Sequence, residues 1–455
     1  MGVVFFKNLA YSNAEEVCFG IAKKPLKYGF ELSVGDGKVV PEVKYILKPG
    51  FENKPELLVD EYEKIALSIV HRALNLGFRN VQLDTELTEP LTMNPDLSGE
   101  IVKSQKEILS KYYSEYGLKS ALRITIADIR RFNIGLRCGE YLKMMIETIK
   151  SVSTNGADLI SVESRGGQEV FSYSLIRNDL RGILFSIAIL SIRDVSFLWH
   201  EIVKTCSKAI PASDSACALA NSAMVLANGL VDRRISHILA AAIRAMCAVR
   251  TLKCYEEGAQ GPGKDCAYEN TIVKIITGYP ISMEGKTASY AHSSLLGNIS
   301  AATCDLWSNE TIVFEDFFGG KSTAVILEAL GYDTELMNKS IDMNVNKTLQ
   351  KILVNSDIYR DPQALILSPE NAFRIAKSIT STDTDYERVI KAFKESLEII
   401  EEELNSLSLP KLETTYLSIL KKFLNNVPDE DKLIKDSINK YSRIPGFKPE
   451  NYDLS

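Results

Sequence analysis

Short apolar runs of β-prone residues recur between helix-like stretches from about residue 75 to residue 330, and polar residues follow each run. This alternation is expected of repeated βα units on a parallel sheet. The runs and the polar residues after them are 81–83 before 84–86, 121–126 before Asp128, 159–162 before 163–167, 209–210 before 213–215, 252–255 before 256–258, and 280–283 before 284–287. A (β/α)8 barrel builds its active site from such strand ends, all on one face. We therefore predict an α/β fold, a (β/α)8 TIM barrel, with a doubly wound open sheet as the alternative.

After about residue 345 the pattern becomes helical. Apolar residues recur every three or four positions from Tyr386 to Leu404, with Lys and Glu between them, which predicts one amphipathic helix. A second helix is predicted between Pro410 and Pro428. We interpret both apolar faces as core packing, with a docking surface for a partner as the alternative. The predicted regions are an N-terminal extension at 1–74, the barrel domain at 75–345 and a C-terminal helical region at 346–455.

Charge and cysteine usage limit the class of protein. Fifty-three Lys and Arg against 59 Asp and Glu give a formal charge of −6, without the basic excess that a nucleic-acid partner requires. No secretion signal precedes the first acidic residues, and apolar runs such as 182–192 are shorter than the ~18 residues that span a bilayer. The eight cysteines include no CxxC pair, which argues against a disulfide framework and a zinc knuckle. We expect a soluble protein of the reducing cytoplasm, with no membrane contact.

One segment nearly matches a phosphate-binding loop. Residues 258–265 read GAQGPGKD, close to the pattern G-x-x-x-x-G-K-[ST]. Asp265 stands in place of the hydroxyl that would bind magnesium and sets a negative charge beside the phosphates. Shorter matches at 285–287 and 320–322 have Pro280 and Glu315 in place of the first glycine. A P-loop nucleotide site is therefore not predicted.

Metal ligation is the other chemistry that the residues suggest. The four histidines include no i, i+4 pair, and His292, after a candidate strand, is the best placed of them for a site. Cys217 and Cys266 both lie just beyond candidate strand ends in polar surroundings. With a carboxylate such as Glu163 they could supply three ligands and leave zinc one open position, as in catalytic zinc sites. Spacing alone leaves the alternative that both cysteines are buried and unligated.

Longer motifs indicate a family. They are VES at 162–164 with Gly166 and Gly167, Cys217-Ala218, GPGKDCAYEN at 261–270, IVKIITG at 272–278, MEGKT at 283–287, CDLWSNE at 304–310, YRDPQA at 359–364 and FKPENY at 447–452. With these motifs the chain resembles, over almost its whole length, the zinc-bearing subunit of the methanol:corrinoid methyltransferases.

The resemblance implies a (β/α)8 barrel that binds one zinc ion per chain through a Glu and two Cys, which fall on Glu163, Cys217 and Cys266. It also implies methanol as the substrate and a corrinoid protein as the partner, in a hetero-oligomer that contains a dimer of the pair. This chain has no Asp-x-His-x-x-Gly run for binding a corrinoid itself. One departure is Ala216, where the family often has an acidic residue, which puts a neighbouring contact in doubt and not the ligand.

The chemistry that the resemblance implies requires an acid. Hydroxide is a poor leaving group, and zinc as a Lewis acid would draw charge from the oxygen as the C–O bond breaks. Two thiolates and a carboxylate outweigh the charge of the dication, so help from a proton donor is expected. The candidates at neighbouring strand ends are Glu86, Asp128, Asp214, Lys264 and Glu284. Each of them has the alternative role of capping a helix or orienting a ligand.

Four glycines are predicted to let the backbone approach the metal or the corrinoid closely, with plain tight turns as the alternative. They are Gly166, Gly167, Gly261 and Gly263. The predicted function is the zinc-dependent transfer of the methyl group of methanol to the cobalt(I) of a corrinoid on a partner protein. The alternatives are the same chemistry on another methyl donor, such as a methoxylated compound, and a corrinoid-protein scaffold without catalysis.

Overall fold

Seven parallel strands form the centre of the fold and curl into a barrel-like sheet. The structure, a computed structural model, describes residues 4–48, 50–51, 54–228, 234–286, 294–310, 312–313 and 316–454. The strands are β1 Ile21–Tyr28, β2 Leu32–Asp36, β3 Val40–Leu47, β4 Asn80–Glu86, β5 Lys119–Ile126, β6 Leu159–Val162, β7 Ile210–Pro211, β8 Ser282–Glu284, β9 Leu306–Ser308, β10 Ile312–Val313, β11 Asp316–Phe317 and β12 Gly320–Lys321. The order in the parallel sheet is β7-β6-β5-β4-β3-β9-β8, and β10 pairs with β3.

Residues 260–263 lie between the two outermost strands, β7 and β8, and take the place of an eighth strand. The backbone N–H of Gln260 donates to the carbonyl oxygen of Pro211 in β7 at 3.0 Å. Gly263 forms a parallel bridge with Ile281, directly before β8. The α/β class is thereby confirmed as a TIM-barrel-like fold, and the carboxyl ends of its parallel strands lie on one face.

The helices surround this sheet. They are α1 Pro55–Asn75, α2 Glu89–Thr92, α3 Pro95–Tyr116, α4 Gly139–Asn155, α5 Gln168–Ile176, α6 Leu180–Thr205, α7 Cys217–Ala227, α8 His237–Glu256, α9 Asn270–Thr277, α10 Gly297–Ala301, α11 Ser322–Asp342, α12 Asn346–Asp357, α13 Pro362–Leu367, α14 Pro369–Ile379, α15 Asp385–Glu402, α16 Lys411–Leu424 and α17 Glu430–Tyr441. Short 3-10 turns lie at Ala14–Glu16 and Pro449–Tyr452. Helices α6 and α7 contain π-helical stretches, Ser186–Ser191 and Cys217–Asn221.

The β1–β2 hairpin closes the amino-terminal end of the barrel. Leu32 and Val34 of β2 pack in a small apolar cluster with the first residues of barrel strands, among them Val40 and Leu306. The hydroxyl of Tyr28 donates to the side-chain oxygen of Gln82 in β4 at 2.6 Å. The hairpin therefore covers the amino-terminal ends of the barrel strands.

Most of the predicted strands are present. The runs at 81–83, 121–126 and 159–162 lie in β4, β5 and β6, and those at 209–210 and 280–283 overlap β7 and β8. The strand predicted at 252–255 is wrong, because these residues form the end of α8. Nearly every residue of α8 is buried, so its sequence lacks the polar face by which an amphipathic helix is recognised.

Two of the seven central strands were not predicted. Strand β3 lies between β4 and β9, ahead of residue 75, where the barrel domain was predicted to begin. It carries the buried polar residues Glu42 and Lys44, which interrupt its apolar pattern. The second is β9, a strand of three residues. The limits of the three regions along the chain stay a prediction.

The predicted C-terminal helices are confirmed as α15 and α16. Val389, Phe393 and Ile400 of α15 are buried, and α15 packs against α8, so its apolar face belongs to the core. The apolar run at 182–192 lies within α6, which has the length and composition of a membrane-spanning helix. However, 83% of the most apolar 18-residue stretch of this helix is buried inside the fold, as in the core helix of a globular protein.

Candidate metal centre

Three side chains of metal-ligand type meet at the carboxyl end of the barrel. Glu163 directly follows β6, Cys217 begins α7 after β7, and Cys266 follows the segment that takes the place of the eighth strand. Their ligand atoms lie within 4.8 Å of one another. The thiol of Cys266 donates a hydrogen bond to Oε1 of Glu163 at 3.1 Å. The structure therefore brings together the three residues that were predicted as zinc ligands.

A widened helical turn presents Cys217. The stretch Cys217–Asn221 is π-helical, and π-turns within α-helices are frequent at functional sites. From the end of this turn, Nδ2 of Asn221 donates to the backbone carbonyl oxygen of Cys266 at 3.2 Å. The turn that carries one cysteine thus also holds the backbone of the other.

Burial affects the protonation of the group. Cys266 is 3% exposed, and Glu163 and Cys217 are half-buried. Burial, followed by the negative charge of Glu86, raises the pKa of Glu163 to about 7. Burial also raises the pKa of the Cys266 thiol well above its ordinary value. A bound cation would favour the ionised forms, because opposite charge offsets the cost of desolvation.

Two lysines lie among the surrounding carboxylates. Nζ of Lys44 lies 2.8 Å from Oδ2 of Asp265 and 2.7 Å from Oε1 of Glu284. Asp265 and Glu284 form a second group of possible ligands with Cys266. A metal ion between these two carboxylates would have to displace the Lys44 ammonium, so Glu163, Cys217 and Cys266 are the better candidate set.

Lys264, the lysine of the apparent phosphate loop, has the same kind of surroundings. It is fully buried and its Nζ lies 2.7 Å from Asp84, 2.9 Å from Glu86 and 3.2 Å from Asp265. An ammonium group committed to three carboxylates is not arranged to bind a phosphate. This agrees with the sequence argument against a P-loop.

The donor set fits zinc. Two sulfur ligands at ~2.3 Å from one tetrahedral ion lie roughly 4 Å apart. This distance is within the 4.8 Å limit on the separations of the three candidate ligand atoms. Three protein ligands leave the open coordination position that characterises catalytic zinc sites. Glu163 and four nearby carboxylates lie around the ammonium groups of Lys44 and Lys264, and the charge of the Arg123 guanidinium also acts on two of them, Asp84 and Asp265. The four are Asp84, Glu86, Asp265 and Glu284. This surplus of negative charge favours a dication over a neutral occupant.

The other two predicted acids are paired with arginines. Asp128 forms two hydrogen bonds of 2.8 Å with the guanidinium of Arg130, which also binds Asp194. The Arg130 charge outweighs burial and lowers the pKa of Asp128 below its ordinary value. Asp214 forms a buried ion pair with Arg250. Both carboxylates thus have structural partners within the described part of the chain.

The glycines predicted to approach a cofactor are packed against the protein itself. A Cβ atom on Gly166 would lie 2.2 Å from Cβ of Asp194, and one on Gly263 would lie 2.8 Å from Oγ of Ser213. Gly167 and Gly261 have φ values of +82° and +74°, which favour glycine in a turn. Close packing and turns account for these residues. Contact with a metal or corrinoid stays a prediction.

Several residues of the site were missed from sequence. Lys44 lies on β3, which no apolar run marked, and Arg250 lies inside the apolar-looking helix α8. Asp265 was noted, but only as a mismatch in a phosphate loop. The predicted candidate His292 lies outside the described residues. A charged residue within an otherwise apolar run was the one available signal for Lys44 and Arg250.

A largely apolar hollow opens beside Cys217. It has a volume of about 370 Å³, and its apolar lining comes from Leu175, Ile176, Val225 and Leu226. Ile176 in this lining is 58% exposed. The hollow provides an apolar surface at the edge of the candidate ligands.

Comparisons with known proteins agree with this geometry. The sequence profile of the methanol-cobalamin methyltransferase B subunit matches residues 3–453. The methanol–corrinoid protein co-methyltransferase of Methanosarcina barkeri (strain Fusaro / DSM 804) is 42% identical over 455 residues, which cover 98% of either chain. A chain in the crystal structure of the methanol:cobalamin methyltransferase complex MtaBC from Methanosarcina barkeri superposes with a TM-score of 0.95 at 42% identity, over 98% of this chain and 99% of that one. With a match over nearly its whole length, the chain belongs to the family of the methanol-cobalamin methyltransferase B subunit.

Proposed function

We propose that this chain is a methyltransferase that moves the methyl group of methanol to the cobalt(I) of a corrinoid on a partner protein. The observation that carries the proposal is the meeting of Glu163, Cys217 and Cys266 at the open end of the barrel, within 4.8 Å of one another. A corrinoid-protein scaffold without catalysis would not need three such side chains in one place. Family membership supports methanol as the substrate and a corrinoid protein as the acceptor.

Glu163, Cys217 and Cys266 would hold one zinc ion. When bound, zinc supplies a Lewis acid that withdraws charge from the methanol oxygen as the C–O bond breaks. Cobalt(I) provides the electron pair of the new carbon–cobalt bond and becomes cobalt(III). The electrons of the C–O bond leave with oxygen, and one proton converts the leaving hydroxide to water.

Glu86 is the best supported of the candidates for handling this proton. Its side chain is 21% exposed, while those of Asp128, Asp214, Lys264 and Glu284 are 1% exposed or less. Its Oε1 accepts a hydrogen bond from Nζ of Lys264 at 2.9 Å. We therefore propose that the Glu86 carboxyl group relays a proton between solvent and the methanol oxygen. Lys264 would fix the position of this carboxyl group, and the charges of Lys264 and Lys44 outweigh burial and lower the pKa of Glu86, so the carboxylate first takes up the proton that it passes on.

The partner would cover the carboxyl face of the barrel, because the cobalt must reach the methyl carbon in line with the breaking bond. The apolar hollow beside Cys217 is suited to the rim of such a contact. We further propose a hetero-oligomer that contains a dimer of the pair. A cytoplasmic location is supported by the eight cysteines, all of which are free thiols.

The test is an anaerobic assay with a purified corrinoid protein whose cobalt has been reduced to cobalt(I). We expect formation of methylcobalt(III), followed by its absorbance, with methanol as the methyl donor. Activity only with methoxylated aromatic compounds would mean that these compounds, and not methanol, are the substrate. Binding of the corrinoid protein without transfer from either donor would support the scaffold alternative. Light scattering of the mixed proteins tests the dimer of pairs.

A further inference from the structure

A buried ion pair joins the two strand ends that carry Glu163 and Cys217. Asp214 follows β7, and Arg250 lies on α8. Their side chains are 0% and 1% exposed, respectively, and the guanidinium Nη2 of Arg250 donates to Oδ2 of Asp214. A charge pair this deep is costly to desolvate and is retained only where its geometry is well satisfied.

The pair holds the residue directly after Glu163. The backbone N–H of Ser164 donates to Oδ1 of Asp214 at 3.0 Å, and its hydroxyl donates to Oδ2 at 2.7 Å. Nη2 of Arg250 donates to Oγ of Ser164 at 2.7 Å and to its carbonyl oxygen at 3.3 Å. Both the backbone and the side chain of Ser164 are therefore fixed relative to the pair.

The same pair also holds the chain that leads to Cys217. The backbone N–H of Ser215 donates to Oδ1 of Asp214 at 2.6 Å, and Nη1 of Arg250 donates to the carbonyl oxygen of Ser215 at 3.0 Å. The hydroxyl oxygen of Ser215 lies 2.8 Å from Sγ of Cys266. Ser215 thus extends the connection to the third candidate ligand.

We propose that Arg250, through Asp214, Ser164 and Ser215, is a positioning residue that sets the distances between Glu163, Cys217 and Cys266. This inference rests on the proposed zinc site. The planar fork of arginine suits the role, because two of its nitrogen atoms bind different strand ends at once. A lysine at this position would keep the charge and lose the fork.

The experiment measures the affinity of the full-length chain for Zn²⁺ against a competing chelator, and the visible spectrum of the Co²⁺-substituted protein. The variant is Arg250→Lys. The control is Arg388→Lys on α15, which alters another fully buried arginine; its guanidinium pairs with Glu256 at the end of α8 at 2.7 Å and not with Asp214. We expect the affinity for Zn²⁺ to fall by about 10–100-fold in Arg250→Lys, with shifted Co²⁺ bands, and to be unchanged in Arg388→Lys.

Wild-type affinity and an unchanged Co²⁺ spectrum in Arg250→Lys would overturn the inference. Equal losses in both arginine variants would also overturn it, because they would reflect general destabilisation. If Arg250→Lys does not fold, Ser164→Ala decides, since it keeps the ion pair and removes one link; normal Zn²⁺ affinity there would overturn the inference. A wild-type chain that binds neither metal would instead overturn the zinc site itself.

Discussion

The sulfur of Cys266 lies 3.1 Å from Oε1 of Glu163, although 103 positions separate the two residues along the chain. The contact forms because β6 and the segment that takes the place of the eighth strand end at the same rim, on either side of β7. Each candidate ligand comes from a different βα unit. The metal site therefore depends on closure of the barrel rather than on any local turn.

The first prediction concerns zinc content. We expect about one zinc ion per chain in the wild type and less than about a tenth of that in Cys217→Ser, because a serine hydroxyl does not replace a thiolate ligand. Elemental analysis of anaerobically purified protein measures this. The control is Cys206→Ser, a cysteine of similar partial exposure outside the site. Full zinc content in Cys217→Ser would remove this cysteine from the ligand set.

Lys44 should be important for stability. It is 5% exposed and forms ion pairs with Asp265 and Glu284. Lys44→Met would leave two buried carboxylates without this cation, so we expect a loss of about 3–5 kcal/mol in the free energy of unfolding. Denaturant titration measures the loss.

Lys143→Met is the matched control, because Lys143 is 73% exposed and its pair with Glu147 spans 3.7 Å. Exposed pairs contribute about 0–1 kcal/mol. Similar losses in the two variants would contradict the buried network as the cause.

Glu86 should affect turnover more than metal binding. Glu86→Gln keeps the shape of the side chain but cannot relay a proton, and general acid–base catalysis contributes about 10²–10⁴-fold. We expect kcat to fall at least about 100-fold while zinc content stays at the wild-type value. Glu89→Gln, at a 48% exposed glutamate on α2, should leave kcat unchanged. A kcat for Glu86→Gln near that of the wild type would exclude the relay.

The stability of the fold should depend on pH through Glu169. Its Oε1 accepts a hydrogen bond from the hydroxyl of Tyr452 at 2.7 Å, and burial raises its pKa from 4.5 to about 7. The folded state therefore favours the protonated carboxyl. Its contribution to stability is fully present below about pH 4.5 and is lost as the pH rises through about 7.

Glu169→Gln imitates the protonated form, so its stability relative to the wild type should increase between pH 5 and pH 8, by an amount of the order of 2 kcal/mol. Urea unfolding at both pH values measures the difference. Glu450→Gln is the control, because Glu450 is an exposed glutamate of the C-terminal turn that contains Tyr452. A difference that does not change with pH would show that Glu169 does not titrate in this range.

Much of the barrel could be read from the chain because its signals are local. Strands β4, β5 and β6 are apolar runs that end in polar residues, and the period of α15 is visible in its own sequence. The 252–255 segment was misread as a strand because α8 is surrounded by other helices, among them α6, α9, α13 and α15. With no exposed face, a helix shows no helical period.

The three candidate ligands were identified through family resemblance, since spacing alone left buried, unligated cysteines as the alternative. Their environment was beyond prediction. Lys44, on an unrecognised strand, pairs with Asp265 and with Glu284, the last residue of β8, and Arg250 links Ser164 to Ser215. Such charges are buried only when a partner from a distant segment compensates them. The amino-acid order thus specifies the strand ends and the ligand types, while the closed barrel determines which charges face each other, because compensation depends on distance in space and not along the chain.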